Sequence, residues 1–90
     1  MTKKVFKYNL SKGTATRLEL PTGTQPLHVD MQDGETYLWA LVKEKQKESR
    51  FIIILVVCTG HEINQENLIY LNTFLVKGGE YVYHAFQVVD

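Results

Sequence analysis

Apolar and polar residues alternate along the segment from Leu27 to Val42, on both sides of Asp33-Gly34. Alternation with a period of two is typical of a strand with one buried face. Asp-Gly between two such runs is typical of a two-residue type I′ hairpin turn, which needs residues that tolerate positive φ. A turn of this length also fixes the register, so we predict a hairpin in which, for example, His28 lies opposite Trp39.

This hairpin has two different faces, because successive side chains of a strand point to opposite sides of the sheet. One predicted face is apolar and consists of Leu27, Val29, Met31, Leu38, Ala40 and Val42. The other, called the aromatic–polar face below, consists of His28, Asp30, Gln32, Tyr37 and Trp39. Flat rings beside hydrogen-bonding groups suit a flat polar ligand, and they equally suit the rim of a protein interface.

The remainder of the chain also reads as short strands. Runs rich in β-branched and aromatic residues predict five further strands at Lys4–Leu10, Thr14–Leu20, Arg50–Cys58, Leu68–Lys77 and Glu80–Val89. No window of sufficient length has a helical period. About seven short strands in 90 residues predict one all-β domain over residues 1–90, a compact antiparallel sandwich or a small barrel.

Glycine, proline and charged residues mark the predicted connections. Ser11–Gly13 separates the first two strands, and Pro26 is predicted to precede the third. Gly78-Gly79 predicts a second hairpin between the last two strands. The charged segment 43–49 is expected to be a loop or a single helical turn, and segment 59–67 a structured loop.

The strand from Phe51 to Val57 is apolar at every position, so both of its faces must be covered. The second layer of a thin domain covers one face, and a neighbouring subunit can cover the other. The alternative is a two-layer core that covers both faces within one chain. Because an uncovered strand of this kind is an aggregation hazard, we expect a homo-oligomer, a dimer or a tetramer.

Charge and cysteine content exclude several classes of protein. Ten basic and ten acidic residues cancel, which argues against binding duplex nucleic acid but not against a local phosphate pocket. Cys58 is the only cysteine, so no internal disulfide can form, as is usual in a reducing cytosol. The first residues lack a signal-peptide pattern, and the longest apolar run is too short to span a bilayer. We expect an intracellular chain without a membrane partner.

The residues needed for catalysis or metal binding do not stand in a recognisable pattern. Cys58 ends an apolar strand, where a thiol is usually a small buried hydrophobe rather than a nucleophile. His28, His61 and His84 are widely separated and lack the spacing of metal ligands. We therefore expect no enzymatic activity, no cofactor and no metal.

Binding of a nucleotide is better supported by the residue types. Rings can stack on a base, amides and carboxylates can read base edges, and arginine, threonine and histidine can hold phosphates. The candidate ligand-binding residues are His28, Asp30, Gln32, Tyr37, Trp39, Arg50, Thr59, His61, Asn72 and His84. Two alternatives stay open: His61 can be a local cap in an ordinary turn, and His84 a core or cross-strand partner.

Several segments resemble a family of small bacteriophage proteins that share an uncharacterised domain. They are Lys7-Tyr8-Asn9-Leu10, Leu27-His28-Val29, Gln32-Asp33-Gly34, Tyr37-Leu38-Trp39-Ala40-Leu41-Val42, Thr59-Gly60-His61-Glu62-Ile63, Tyr70-Leu71-Asn72-Thr73 and Gly79 with Val82-Tyr83-His84-Ala85-Phe86. The chain departs from the pattern where basic Lys43–Lys47 replaces an acidic, proline-rich connection, and where Cys58 replaces a glycine before Thr59.

Such proteins are similar to the anti-CBASS sponge proteins, small oligomeric β proteins that sequester cyclic nucleotide immune signals without cleaving them. The resemblance implies a homo-oligomeric sponge for a signal such as cyclic GMP-AMP, acting in the cytoplasm of an infected bacterial host. The alternative from another class is a phage accessory protein-interaction module, whose aromatic–polar face docks on a host protein.

Overall fold

The computed structural model describes residues 2–10 and 13–89. The strands are β1 Lys4–Asn9, β2 Ala15–Pro21, β3 Gln25–Gln32, β4 Glu35–Val42, β5 Ser49–Cys58, β6 Leu68–Val76 and β7 Tyr81–Val88. The helical content of the described residues is a single 3₁₀ turn at Lys77–Gly79, and no described helix is long and apolar enough to cross a membrane. The prediction of an all-β fold with seven strands is confirmed. Ser11 and Lys12, part of the first predicted break, lie outside the described residues.

The strands form two antiparallel sheets that pack face to face. One sheet has the order β1-β4-β3 and the other the order β2-β5-β7-β6. Both contribute to one core, which includes Val29 and Leu38 from the first sheet and Ile54 and Ala85 from the second, all fully buried. Of the two predicted architectures, the fold is therefore the sandwich. The face of each sheet that points away from the other sheet is called its outer face below.

The predicted hairpin of β3 and β4 is confirmed with its register. Asp33 and Gly34 have φ values of 52° and 81°, as a type I′ turn requires. Pairing runs without a shift from the residues next to the turn to His28 opposite Trp39. The Gly78-Gly79 hairpin between β6 and β7 is also confirmed, with φ values of 68° and 98°.

The prediction was wrong for two residues at the start of β3. The register shifts between Pro26 and His28, so Leu27 has no partner in the pairing, and its side chain is 41% exposed instead of joining the core. Pro26 lies within the strand, opposite Ala40, rather than before it. An edge strand tolerates this, because a proline that lacks an N–H loses nothing on the side without a neighbour.

The two faces of β5 are covered in different ways. The inner side chains pack against the core; they are Ile52, Ile54 and Val56. The outer side chains face away from the other sheet; they are Ile53, Leu55 and Val57. Leu55 and Val57 are nevertheless only 2% and 5% exposed. Part of the outer face of β5 is therefore shielded from solvent within a single chain.

The connection from β5 to β6 lies on the same outer face. Cys58 pairs with Tyr83 near the beginning of β7, whereas Leu68 pairs with Val88 at its end, so segment 59–67 has to return along the sheet. The inner face is occupied by the core, and residues 59–67 are all exposed. The segment therefore crosses β7 on the outer face, and the chain itself covers part of the surface for which the sequence suggested a neighbouring subunit.

Candidate functional site

The aromatic–polar face lies on the outer face of the three-stranded sheet. Tyr37 and Trp39 stand on the central strand β4, and their rings meet edge to face, with centroids 6.0 Å apart and an angle of 60° between the planes. His28 lies opposite Trp39 on β3, and Asp30 lies opposite Tyr37. Together with Gln32, the five residues predicted to share a face do so, because the turn register holds from the turn as far as His28 and Trp39.

Lys7 is a sixth member of this surface, which sequence reasoning missed. It lies opposite Trp39 on β1, on the other side of β4 from His28. Its Nζ atom lies 4.4 Å from the centroid of the Tyr37 ring and donates a 2.8 Å hydrogen bond to Oε1 of Gln32. The side chain thus reaches across β4 and places a cation beside the rings.

The acidic and imidazole groups of the face contact one another on β3. His28 Nε2 lies 3.6 Å from Oδ2 of Asp30, and both side chains are about half exposed. The other carboxylate oxygen, Oδ1, accepts a hydrogen bond from the backbone N–H of Met31 at 2.8 Å. The β3 side of the face therefore offers an acceptor and a ring nitrogen to a ligand, while the cation comes from β1.

Tyr37 is held as a neutral phenol at physiological pH. Its hydroxyl donates a 2.9 Å hydrogen bond to Oε2 of Glu35. This hydrogen bond, followed by partial burial and by the charges of Glu35 and Asp33, raises the pKa of Tyr37 above its ordinary value. Because Lys7 already lies over its ring, the indole of Trp39 is the better surface for stacking.

Thr59 and His84 meet on the outer face of the other sheet. Oγ1 of Thr59 is 2.7 Å from Nε2 of His84, and Oγ1 of Thr73 is 2.9 Å from its Nδ1. The Tyr70 hydroxyl is 2.7 Å from the Thr73 hydroxyl. These four residues, the hydroxyl–histidine cluster, connect β5, β7 and β6, so His84 has the geometry of the cross-strand partner that the sequence left as an alternative.

A threonine hydroxyl beside an imidazole is also a possible nucleophile and base, a pair that sequence reasoning did not find. In hydrolases the imidazole is oriented by a carboxylate, which stabilises the charge it gains. Here the Thr73 hydroxyl occupies the position of that carboxylate beside His84. Because the hydroxyl is neutral, it has no negative charge to stabilise a protonated imidazole. The Thr59 hydroxyl also contacts the carbonyl oxygen of Val82 at 3.4 Å. The arrangement is suited to hydrogen bonding rather than to nucleophilic attack.

The three other candidates are Asn72, His61 and Arg50, and within the described residues no side-chain hydrogen bond, ion pair or ring contact joins them to either surface. The Asn72 amide is used inside the protein, donating to the carbonyl oxygen of Val29 at 2.7 Å and accepting from its N–H at 2.8 Å. It is therefore not free to read a base, contrary to its predicted role. His61 is exposed in segment 59–67, where its backbone N–H donates to the carbonyl oxygen of Cys58. Arg50 is exposed near the beginning of β5, at the other end of the strand from Thr59.

Over residues 1–90 the chain matches a family described as a domain of unknown function, DUF7352. The chain belongs to the DUF7352 family. No curated protein and no solved structure matches it.

The candidate residues of this DUF7352 domain do not converge on one site within a protomer. The aromatic–polar face and the hydroxyl–histidine cluster lie on opposite sides of the sandwich. The structure has a cavity of about 410 Å³ between the sheets and a cleft of about 550 Å³ at one end of the four-stranded sheet, and neither is lined by Tyr37 or Trp39. Neither of these two spaces therefore opens onto the aromatic–polar face.

The described residues of the DUF7352 domain contain no group of three or more His, Cys, Asp or Glu side chains placed to hold a metal ion. The side chains of the aromatic–polar face supply chemistry of their own. They can stack on a flat ring, donate and accept hydrogen bonds and offer one ammonium group to an anion.

Proposed function

We propose that this DUF7352 domain binds a cyclic oligonucleotide second messenger, such as cyclic GMP-AMP, and sequesters it without cleaving it. The observation that supports this is the aromatic–polar face, where an indole ring lies among an amide, a carboxylate, an imidazole and a lysine. Stacking of a base on an aromatic ring contributes about 1–3 kcal/mol and requires no strong positive charge. Such a face suits a chain with no net charge.

Each group of the face has a part in this proposal. Trp39 stacks on a base, because the Tyr37 ring is already covered by Lys7. Gln32 and Asp30 read the edge of that base, as amides and carboxylates do. Lys7 exchanges its hydrogen bond with Gln32 for one to a phosphate oxygen, which frees the Gln32 carbonyl for the base.

Sequestration further requires an enclosed ligand, and a homo-oligomer supplies the enclosure. A flat face on a 90-residue protomer buries one side of a cyclic dinucleotide, whereas tight sites bury most of the ligand surface. Phe51, Tyr70 and Leu75 are each more than half exposed on the outer face of the four-stranded sheet. In a head-to-tail assembly they give the aromatic–polar face of a second copy an apolar surface to contact, which encloses a ligand bound there. The proposed setting is the cytoplasm of a phage-infected bacterium.

The proposal is tested by thermal unfolding with a panel of cyclic di- and trinucleotides, followed by denaturation and recovery of the ligand. At least one panel member should raise the unfolding temperature and be recovered intact. Trp39→Ala should remove the shift, Trp39→Phe should retain part of it, and Tyr81→Ala, which removes an exposed ring elsewhere, should leave it unchanged. A panel without any stabilisation contradicts the proposal. Recovery of a linear product would make the protein an enzyme, with Thr59 and His84 as the first groups to test.

A second candidate function, a protein-interaction module, is favoured by the position of the Trp39 and Tyr37 rings side by side on the outer face of the three-stranded sheet. Open aromatic surfaces with a polar border are typical of protein interfaces. In this case Trp39→Ala should abolish capture of a bacterial host protein, while no cyclic nucleotide stabilises either the wild type or the variant. The two functions therefore give opposite results in the thermal experiment.

A further inference from the structure

The cavity of about 410 Å³ lies between the two sheets, at the end of the sandwich that carries the β3–β4 turn, and is called the inter-sheet cavity below. Its lining includes two side chains of the three-stranded sheet, Met31 and Thr36, and four of the other sheet, Val56, Phe74, Val76 and Tyr83. Protein interiors are packed so closely that few voids exceed the size of a water molecule. A space of this volume in a 90-residue domain is therefore unusual, and it falls within the range of small-molecule sites, about 300–1,000 Å³.

The walls of the inter-sheet cavity are partly fixed and partly adaptable. Phe74 on β6 lies opposite Tyr83 on β7, and their rings stack with centroids 5.7 Å apart and an angle of 21° between the planes. This contact holds both rings in place before a ligand arrives. On the facing sheet Met31 lies opposite Thr36. A methionine side chain is unbranched and flexible, so this wall can adjust to the shape of a ligand.

The chemistry of the lining is apolar with a few hydroxyl groups. Among the described residues that line the cavity, none has a charged or an imidazole side chain. Burying a charged group without a partner is costly, so the cavity favours an uncharged ligand. The side-chain hydroxyls of Thr14 and Tyr83 have no hydrogen-bond partner within the described residues, and both residues line the cavity. They are therefore available to a polar group of a ligand.

The inter-sheet cavity also has a route from solvent. Its lining runs from exposed residues, Gly13, Thr14 and Gly34, to the buried side chains of Leu10 and Phe74. A Cβ placed on Gly13 or on Gly34 would meet nothing within 4 Å, so the space around these two glycines is open. A ligand can therefore reach the ring pair from the end of the sandwich, without separation of the two sheets.

We propose that the inter-sheet cavity is a second binding site, which takes an uncharged, largely apolar small molecule. The apolar body of the ligand lies among Met31, Val56 and Phe74, and a hydroxyl or carbonyl group of the ligand bonds to a free hydroxyl of the lining. Neither Tyr37 nor Trp39 lines the cavity, so this site does not depend on the function proposed for the aromatic–polar face.

The test is isothermal titration calorimetry with 2-naphthol, a neutral pair of fused rings with a single hydroxyl. The wild type should bind with one site per chain. Val76→Phe should weaken binding by about tenfold or more, because the added ring takes up part of the volume that the ligand needs. Val5→Phe adds the same ring at an exposed position of β1, outside the cavity lining, and should bind like the wild type.

The charge of the ligand is tested on the wild type with 2-naphthalenesulfonate, which has the same rings and a negative charge. It should bind about tenfold more weakly than 2-naphthol, or less tightly still, because no cation among the described lining residues compensates for the loss of its hydration. A sulfonate that binds as tightly as 2-naphthol would contradict the proposed class of ligand.

A further measurement on the wild type locates the bound molecule and does not depend on any variant folding. In a ¹H–¹³C spectrum, 2-naphthol should shift the methyl resonances of Met31, Val56 and Val76, and the indole N–H resonance of Trp39 should stay in place. Absence of binding at millimolar 2-naphthol would overturn the proposal. Equal affinities of Val76→Phe and the wild type, or shifts confined to the aromatic–polar face, would do so as well, because both place the ligand outside the cavity. A negative result with cyclic nucleotides in the thermal experiment leaves these results unaffected.

Discussion

The side-chain amide of Asn72 pairs with the backbone of Val29 as a neighbouring strand would. It donates to the carbonyl oxygen and accepts from the N–H of the same residue, at 2.7 and 2.8 Å. Val29 is fully buried on the edge strand β3, and Asn72 lies on the edge strand β6 of the other sheet. One side chain thus satisfies two backbone groups at the seam where the two sheets meet.

Asn72→Ala should lower the free energy of unfolding by about 2–4 kcal/mol, because it leaves a buried donor and a buried acceptor without partners. Asn64→Ala, in the exposed segment 59–67, should change it by less than about 0.5 kcal/mol. Urea unfolding of both variants measures the difference. Equal stabilities would mean that water replaces the amide at the seam.

The turn at Asp33-Gly34 yields a prediction about the backbone alone. Gly34 has a φ of 81°, and a Cβ placed on it would meet nothing within 4 Å. A side chain at this position therefore lowers the free energy of unfolding only through the strain of the left-handed backbone conformation. Gly34→Ala should destabilise the protein by about 1–2 kcal/mol. Asp33→Asn should not, since asparagine tolerates the left-handed conformation that Asp33 adopts at a φ of 52°. Thermal unfolding of the two variants should separate them, and similar midpoints would contradict the account.

Tyr8 links stability to alkaline pH. Partial burial of its side chain against the core raises the pKa of its hydroxyl above the ordinary value of 10.0. Above pH 10 the unfolded chain therefore loses this proton more readily than the native protein does. As a result, the contribution of Tyr8 to the free energy of unfolding is fully present below pH 10 and is lost as the pH rises through the native-state pKa. Tyr8→Phe should lose less stability than the wild type over this range. Parallel profiles in unfolding experiments at pH 8 to 11 would exclude the effect.

Lys7 and Lys77 form a matched pair for testing the proposed ligand site. Each ammonium lies over a tyrosine ring, Tyr37 and Tyr81 respectively. Lys7→Gln should weaken binding of a stabilising cyclic nucleotide and reduce the slope of its salt dependence by about one unit, as expected for one lost phosphate contact. Lys77→Gln should alter neither. If the two variants behave alike, Lys7 has no contact with the ligand.

The parts of the fold that sequence predicted well depend on local chemistry. Asp33-Gly34 determines a turn, the turn determines a register, and the register determines which side chains share the aromatic–polar face. The strand boundaries also agree closely, for instance Arg50–Cys58 as predicted against Ser49–Cys58 in the structure. These features need no knowledge of residues distant in sequence.

The parts that sequence did not predict depend on pairings between distant segments. The position of Lys7 follows from the pairing of β1 with β4, and the use of Asn72 from the meeting of β6 with β3. Periodicity gives the face of a residue within its strand, but not the strand beside it.

The most direct test of the central claim is tryptophan fluorescence, because Trp39 is the only tryptophan in the chain. Its emission reports on the aromatic–polar face and on no other surface. We expect titration with cyclic GMP-AMP or a related cyclic nucleotide to change the emission saturably, with the same affinity that thermal unfolding gives. Emission that stays constant across the whole panel would contradict stacking on Trp39, and with it the proposal that this face captures a nucleotide signal.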